Sequence, residues 1–139
     1  MTSGNTGSGN PSNTDVTIAL PEGGTISFAW FFTTTDQDGP SFDPFFVLRP
    51  SSGQLSDNGG SNSQNGVFSF SANAGDVIGF RVSTVDNSFG SAGVRITDFN
   101  FVEDRVNPAP EPGSIALLGA ALLAGFAGRR KLNCARAAA

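Results

Sequence analysis

The feature that most constrains this chain is an alternation of apolar and polar residues, repeated in several short segments. In the clearest segment the large apolar side chains occupy one parity and mostly small side chains occupy the other. The apolar set is Ile26, Phe28, Trp30 and Phe32. Because successive side chains of a strand point to opposite faces, the segment is predicted to be a strand with one buried face.

Further apolar segments separated by polar turns predict six or seven short strands and no amphipathic helix before residue 113. Residues 45–48 form a continuous apolar run, which is typical of a strand buried on both faces. Residues 51–66 are polar and predict a long loop, and residues 77–85 alternate again.

The last of these segments changes its phase. Val94 and Ile96 share one parity, whereas Phe99 and Phe101 have the other. A β-bulge near residues 97–98, or a strand that crosses between two sheets there, would restore a common inward face. The expected fold is all-β, an antiparallel β-sandwich that is jelly-roll-like.

The chain of 139 residues divides by composition into five segments. The predicted organisation is a flexible polar leader (1–14), a β-sandwich domain (15–104), a Pro-rich linker (105–112), a short transmembrane helix (113–128) and a basic cytoplasmic tail (129–139). The leader lacks the basic start and the apolar stretch of a secretory signal peptide.

The composition excludes several kinds of catalytic site. The chain contains no His and one Cys, Cys134, so a Ser-His-Asp or Cys-His nucleophile and an internal disulfide cannot form. Paired acids such as Asp36 and Asp86 could support glycosidase chemistry, but nothing in their spacing singles them out. The protein is therefore not expected to be an enzyme.

The charge changes sign along the chain. Residues 1–112 hold all 12 acidic groups and half of the 8 basic ones, a formal charge of −8, and residues 113–139 carry +4. An acidic body does not suit nucleic acid, because nucleic-acid binding depends on cationic groups that meet phosphate. No nucleic-acid partner is expected.

Residues 113–128 form an apolar run that contains no charged side chain. As a helix, 16 residues span about 24 Å, which is less than a hydrocarbon core of about 30 Å. The alternatives are a short membrane span and a buried helix of a soluble domain. The membrane span is favoured, because the Pro-rich linker separates the run from the sandwich and basic residues follow it directly.

The segment from residue 108 to residue 131 resembles the PEP-CTERM protein-sorting signal of Gram-negative bacteria. In that family a Pro-Glu-Pro triplet precedes a short apolar span and a basic cluster near the C-terminus. The triplet corresponds to Pro110, Glu111 and Pro112, and the span corresponds to residues 113–128. The basic cluster corresponds to Arg129, Arg130 and Lys131.

The resemblance implies export, transient anchoring in the inner membrane, and cleavage near the triplet by an exosortase. The product would be released or placed in an exopolysaccharide-rich layer at the cell surface or in the extracellular matrix. The sequence departs from the family in two ways. Family members begin with a signal peptide, whereas residues 1–14 do not resemble one. Residues 132–139 also extend further past the basic cluster than is usual. A permanent membrane anchor is the alternative.

Acidic residues that precede a glycine suggest a calcium loop. Asp36, Asp38 and Asp43 are the candidate ligands, and an aspartate from another loop, Asp57 or Asp86, would complete the site. The segment is not an EF-hand. The alternative is a solvated acidic turn, since Asp and Gly are ordinary turn residues.

Carbohydrate binding is the alternative function, because sandwiches of this type often host it. Sugar platforms usually use exposed Trp or Tyr, but the chain has no Tyr and Trp30 lies in the most apolar strand. We expect Trp30 to be in the core. Phe42 and Phe89 are the aromatic residues predicted in loops, where they form either an exposed patch or plugs over the core.

Overall fold

The structure, a computed structural model, describes residues 1–104, and these form an all-β domain with no helix. The predicted linker (105–112), transmembrane helix (113–128) and basic tail (129–139) lie outside the described residues. The strands are β1 (Ser12–Ala19), β2 (Gly24–Thr34), β3 (Phe45–Leu48), β4 (Gly53–Gln54), β5 (Ser63–Ala72), β6 (Val77–Thr84) and β7 (Ala92–Glu103).

The strands build two antiparallel sheets, as the alternation predicts. The four-stranded sheet has the order β1-β6-β3-β4, and the three-stranded sheet has the order β5-β2-β7. A jelly roll usually has eight strands, so the finer expectation of a jelly-roll arrangement is not confirmed by these seven.

The core lies between the two sheets and is dominated by aromatic rings. The predicted inner face of β2 is confirmed: its four large side chains are all buried. Phe28 of β2 contacts Phe80 of β6 edge to face, with 4.9 Å between ring centroids, and Trp30 lies 5.8 Å from Phe45 of β3. These contacts join the two sheets, because β2 belongs to one and β3 and β6 belong to the other.

One glycine makes room for the indole of this core. Gly66 of β5 is paired with Trp30 of β2, and a Cβ atom at residue 66 would lie 2.9 Å from the Trp30 Nε1 atom. A side chain there would displace the ring, so the close packing of Trp30 depends on this glycine.

The phase change in the last strand is a bulge, as predicted, but the common inward face is restored only in part, because Phe99 remains 51% exposed. The register between β2 and β7 shifts between Ser27 and Ala29, which pair with Asn100 and Thr97. Asp98, within the bulge, has a φ of 52°. The extra residue brings Phe101 back to the inward face, where it packs against the core.

Three strands differ from expectation in the middle of the chain. The predicted loop of residues 51–66 contains the short β4 and the first residues of β5, which are polar and are held by backbone pairing with neighbouring strands. In β3, Phe45 and Val47 are buried whereas Phe46 and Leu48 are half-buried, so one face of this strand is less covered than expected.

The N-terminal residues also differ from the expected flexible leader. The Met1 amino group donates to the Val94 carbonyl at 2.9 Å, and the Val94 N–H donates back to Met1 at 2.8 Å. Ser3 is buried, and β1 already begins at Ser12. Flexibility was predicted because the segment has almost no apolar side chains to bury. The segment is held instead by backbone hydrogen bonds to β7 and by the hydrogen bond from the Ser3 hydroxyl to Asp43.

Candidate functional site

The sorting signal lies outside the part of the chain that the structure describes. Its predicted residues are Pro110, Glu111, Pro112, Arg129, Arg130 and Lys131. Within residues 1–104, no helix has the length and apolar character needed to cross a membrane. The structure therefore bears on the domain that precedes the signal, where two groups of side chains have the chemistry of a site.

The first group is a pair of buried carboxylates at the end of β2 and in the loop that follows it. Asp36 is 1% exposed and Asp43 is 0% exposed. The Ser3 hydroxyl donates to Asp43 Oδ1 at 2.9 Å, and the Thr34 hydroxyl donates to Asp43 Oδ2 at 2.8 Å. Asp43 thus ties the N-terminal segment to the end of β2.

Burial sets the ionisation of Asp43. Loss of solvation raises the pKa of the Asp43 carboxyl above its ordinary value, although hydrogen bonds from Thr34 and Ser3 act in the opposite direction. The nearby Asp36 carboxylate adds to the rise, because a second negative charge disfavours ionisation. Asp43 is therefore a buried acid whose hydrogen-bond donors within residues 1–104 include the neutral hydroxyls of Ser3 and Thr34.

The structure does not bring the predicted calcium ligands together as a metal-binding group. Asp38 is exposed, and its N–H donates to Asp36 Oδ1 at 2.7 Å. Both oxygens of Asp43 already accept hydroxyl hydrogen bonds. In the described part of the chain, no group of three or more His, Cys, Asp or Glu side chains is placed to hold a metal ion.

The other aspartates considered for this site have the geometry of turn residues. Asp57 Oδ1 accepts from the Gly59 N–H at 2.9 Å, and Asp86 Oδ1 accepts from the Ser88 N–H at 3.0 Å. Asp36 makes the same contact two residues along the chain. A carboxylate that accepts a hydrogen bond from the backbone N–H two residues on stabilises a turn. The alternative for the acidic loop was a solvated turn, but Asp36 and Asp43 are buried.

The loop aromatics do not form a common platform with Trp30. Trp30 is 7% exposed and belongs to the core, which confirms the prediction. Phe42 is half-buried, whereas Phe89 is 61% exposed and has a φ of 64°.

The second group lies on the outer face of the three-stranded sheet and was missed from the sequence. Phe31 of β2 pairs with Asn65 of β5 on one side and with Arg95 of β7 on the other. The row therefore contains an amide, an aromatic ring and a guanidinium; we call it the Asn65–Phe31–Arg95 row. Phe31 remains 41% exposed, although the Arg95 guanidinium carbon lies 4.7 Å from its ring centroid. The signal in the sequence was a large apolar residue on the polar parity of β2.

A shallow, open depression of about 490 Å³ adjoins the row, lined by residues of β2, β7 and the N-terminal segment. Phe31 and Arg95 contribute to its wall together with Thr2 and Thr33. Small hydroxyl side chains form much of the rest of the outer face, where Thr25 and Ser71 share a hydrogen bond of 3.3 Å, but Val67 and Val102 are exposed apolar residues on it. An aromatic surface beside a few polar groups is the usual composition of a ligand site.

Comparison with known proteins gives one match. Residues 108–131 match the PEP-CTERM protein-sorting motif, which confirms the resemblance found in the sequence. This motif implies exosortase-dependent sorting to the cell surface. No curated protein and no solved structure matches the chain.

Proposed function

We propose that this chain, which carries a PEP-CTERM protein-sorting motif at residues 108–131, is a non-catalytic protein of the cell surface or the extracellular matrix. It is exported, anchored transiently in the inner membrane by residues 113–128, cleaved near Pro110, Glu111 and Pro112 by an exosortase-type enzyme, and delivered as a β-sandwich domain.

The observation that carries the proposal is the order of elements in the C-terminal segment. The Pro-Glu-Pro triplet, an uncharged apolar run and a basic cluster follow one another within the matched residues. The charge step supports the direction of insertion, because basic residues next to a span stay on the cytoplasmic side and the acidic body lies on the other.

Two features support the non-catalytic part of the proposal. The sequence contains no His, and Cys134 lies beyond the sorting motif, so neither a Ser-His nor a Cys-His nucleophile–base pair can form in the domain. The buried carboxylate of Asp43 is occupied by hydroxyl donors, as expected for an acid that holds loops together.

The test follows the C-terminus of the protein in cells that contain an exosortase. We expect mass spectrometry of the surface fraction to find chains that end near the Pro-Glu-Pro triplet. Glu111→Gln should instead accumulate the intact chain in the membrane fraction. Glu103→Gln is the matched control, because it neutralises an exposed acid outside the motif and should be processed normally. An intact C-terminus on the surface protein would favour the permanent anchor.

Carbohydrate binding is a second candidate role for the exported domain. It is favoured by the Asn65–Phe31–Arg95 row, which leaves an aromatic ring exposed among hydroxyl and amide groups. This role adds to the sorting proposal, since an exported domain meets polysaccharide outside the cell.

A further inference from the structure

We propose that the outer face of the three-stranded sheet binds an acidic polysaccharide at the Asn65–Phe31–Arg95 row. A sugar ring lies against Phe31, and the carboxylate of a uronic acid unit binds Arg95. The inference rests on the proposed export of the domain, and it specifies the ligand class and the residues of the carbohydrate-binding role.

The row is continuous across three hydrogen-bonded strands. Neighbouring strands lie about 4.8 Å apart, so Asn65 and Arg95 stand about 10 Å apart on either side of Phe31. All three residues project from the same face, because residues paired across strands point to the same side of the sheet. An extended chain of sugars can therefore contact all three side chains at once.

Phe31 places an exposed aromatic ring on the outer face of the sheet. Phe31 is 41% exposed, whereas Phe28 and Phe32 on the inner face of the same strand are essentially buried. In the rows next to Phe31, Thr33 pairs with the small residues Ser63 and Gly93, whereas Ala29 pairs with Thr97 and with Val67, which is 79% exposed. The ring therefore stands beside small residues on one side and extends an exposed apolar surface on the other, where a flat apolar sugar face can reach it.

The charge on this face selects an anionic ligand. Arg81 is paired with Asp15 at 2.7 Å, and Arg49 is half-buried. Arg95 also contacts an aromatic ring, that of Phe31, but its side chain is exposed. Arg95 has no ion-pair partner within residues 1–104. A guanidinium binds a carboxylate through two parallel hydrogen bonds, so this position favours a uronic acid.

The acidic character of the domain opposes an anionic ligand, as it opposes nucleic acid, so binding depends on the local contact with Arg95. Charges further than about 8 Å from the ligand are largely screened at physiological ionic strength, whereas Arg95 would act at contact distance. The neighbouring acid on β7 is Asp98, which lies in the bulge and accepts a hydrogen bond from Thr97 at 3.3 Å. Thr97 pairs with Ala29, one row away from Phe31 on this face.

The test measures binding of the purified full chain to alginate, a polymer of uronic acids, by affinity electrophoresis. A polyoxyethylene detergent keeps the apolar C-terminal segment in solution without introducing a sugar headgroup. We expect Phe31→Ala and Arg95→Gln each to weaken alginate binding by about tenfold or more, which corresponds to about 1.4 kcal/mol. Carboxyl-reduced alginate should bind the unaltered chain about as weakly as alginate binds Arg95→Gln.

The matched control is Phe89→Ala, which removes an exposed phenyl ring from a loop outside this row and should bind alginate normally. The proposal is overturned if the unaltered chain does not bind alginate, or if Phe31→Ala and Arg95→Gln bind as well as it does. Equal binding of carboxyl-reduced alginate also overturns it. If the chain is sorted normally but fails these tests, the polysaccharide site is rejected and the sorting proposal stands. If sorting is defective, binding of the purified chain to alginate can still be measured.

Discussion

The two faces of β2 differ in what their aromatic residues contact. On the inner face, Phe28 contacts Phe80 of the opposite sheet and is 1% exposed. On the outer face, Phe31 contacts Arg95 on a neighbouring strand and keeps 41% of its surface exposed. The same residue type therefore contributes to stability at one position and is available to a ligand at the other. Substitutions along this strand and at its end test that division.

Phe28→Ala should have the largest effect. Removing a fully buried ring leaves a cavity between the sheets and costs about 3–5 kcal/mol of unfolding free energy. This is a large part of the roughly 5–15 kcal/mol that stabilises a typical domain. Urea unfolding followed by Trp30 fluorescence measures it, and Phe28→Leu should cost clearly less. A loss below about 1 kcal/mol would contradict the buried position of this ring.

Asp43 is buried in the loop between β2 and β3. Its substitution should have an intermediate effect on the free energy of unfolding, and this effect should depend on pH. Burial raises the pKa of this carboxyl in the folded state. The protonated form is then favoured by folding, so its stabilisation is present below the unfolded pKa and is lost as pH rises through the folded pKa. Each unit of pKa difference corresponds to about 1.4 kcal/mol.

The measurement compares the unaltered chain with Asp43→Asn, which cannot ionise, by urea unfolding between about pH 3.5 and 7. The stability of the unaltered chain relative to the variant should fall with rising pH and then become constant. Taking the difference removes the titration of groups that both proteins share. A difference that rises with pH would mean that the Ser3 and Thr34 hydrogen bonds outweigh burial.

Phe31→Ala should have the smallest effect on stability, although we expect it to weaken the proposed alginate binding about tenfold or more. The exposed cross-strand contact with Arg95 contributes about 0.5–1 kcal/mol, which is typical of an exposed cation–π pair. Thermal unfolding of this variant should therefore stay close to that of the unaltered chain. A loss comparable to that of Phe28→Ala would show that the ring is structural and would remove the contrast between the two faces.

Much of the fold was predictable because burial of one strand face leaves a period of two in the sequence. That signal located the inner face of β2, the strand character of residues 77–84 and the bulge in β7. It failed at β4, which has two residues, and at the start of β5, which is polar. There the strands form by backbone pairing, which leaves no side-chain pattern.

The candidate sites were less predictable than the fold. The acidic residues of the loop after β2 suggested that they share a calcium ion. In the structure, hydroxyl and backbone N–H groups donate to the carboxylates of Asp43 and Asp36. Asp43 is held by the Ser3 hydroxyl, a partner forty positions away in the sequence. The Asn65–Phe31–Arg95 row joins three strands, so no local spacing could reveal it.

The sequence alone determined the sorting motif of residues 108–131 and the antiparallel all-β class of the domain, because both follow from patterns that are local along the chain. Only the tertiary structure decided the strand order, the anchoring of the N-terminal residues to β7, and the placement of Arg95 against Phe31. These depend on pairing between distant segments. Such pairing is selected by the whole core and by backbone hydrogen bonds, not by any one segment.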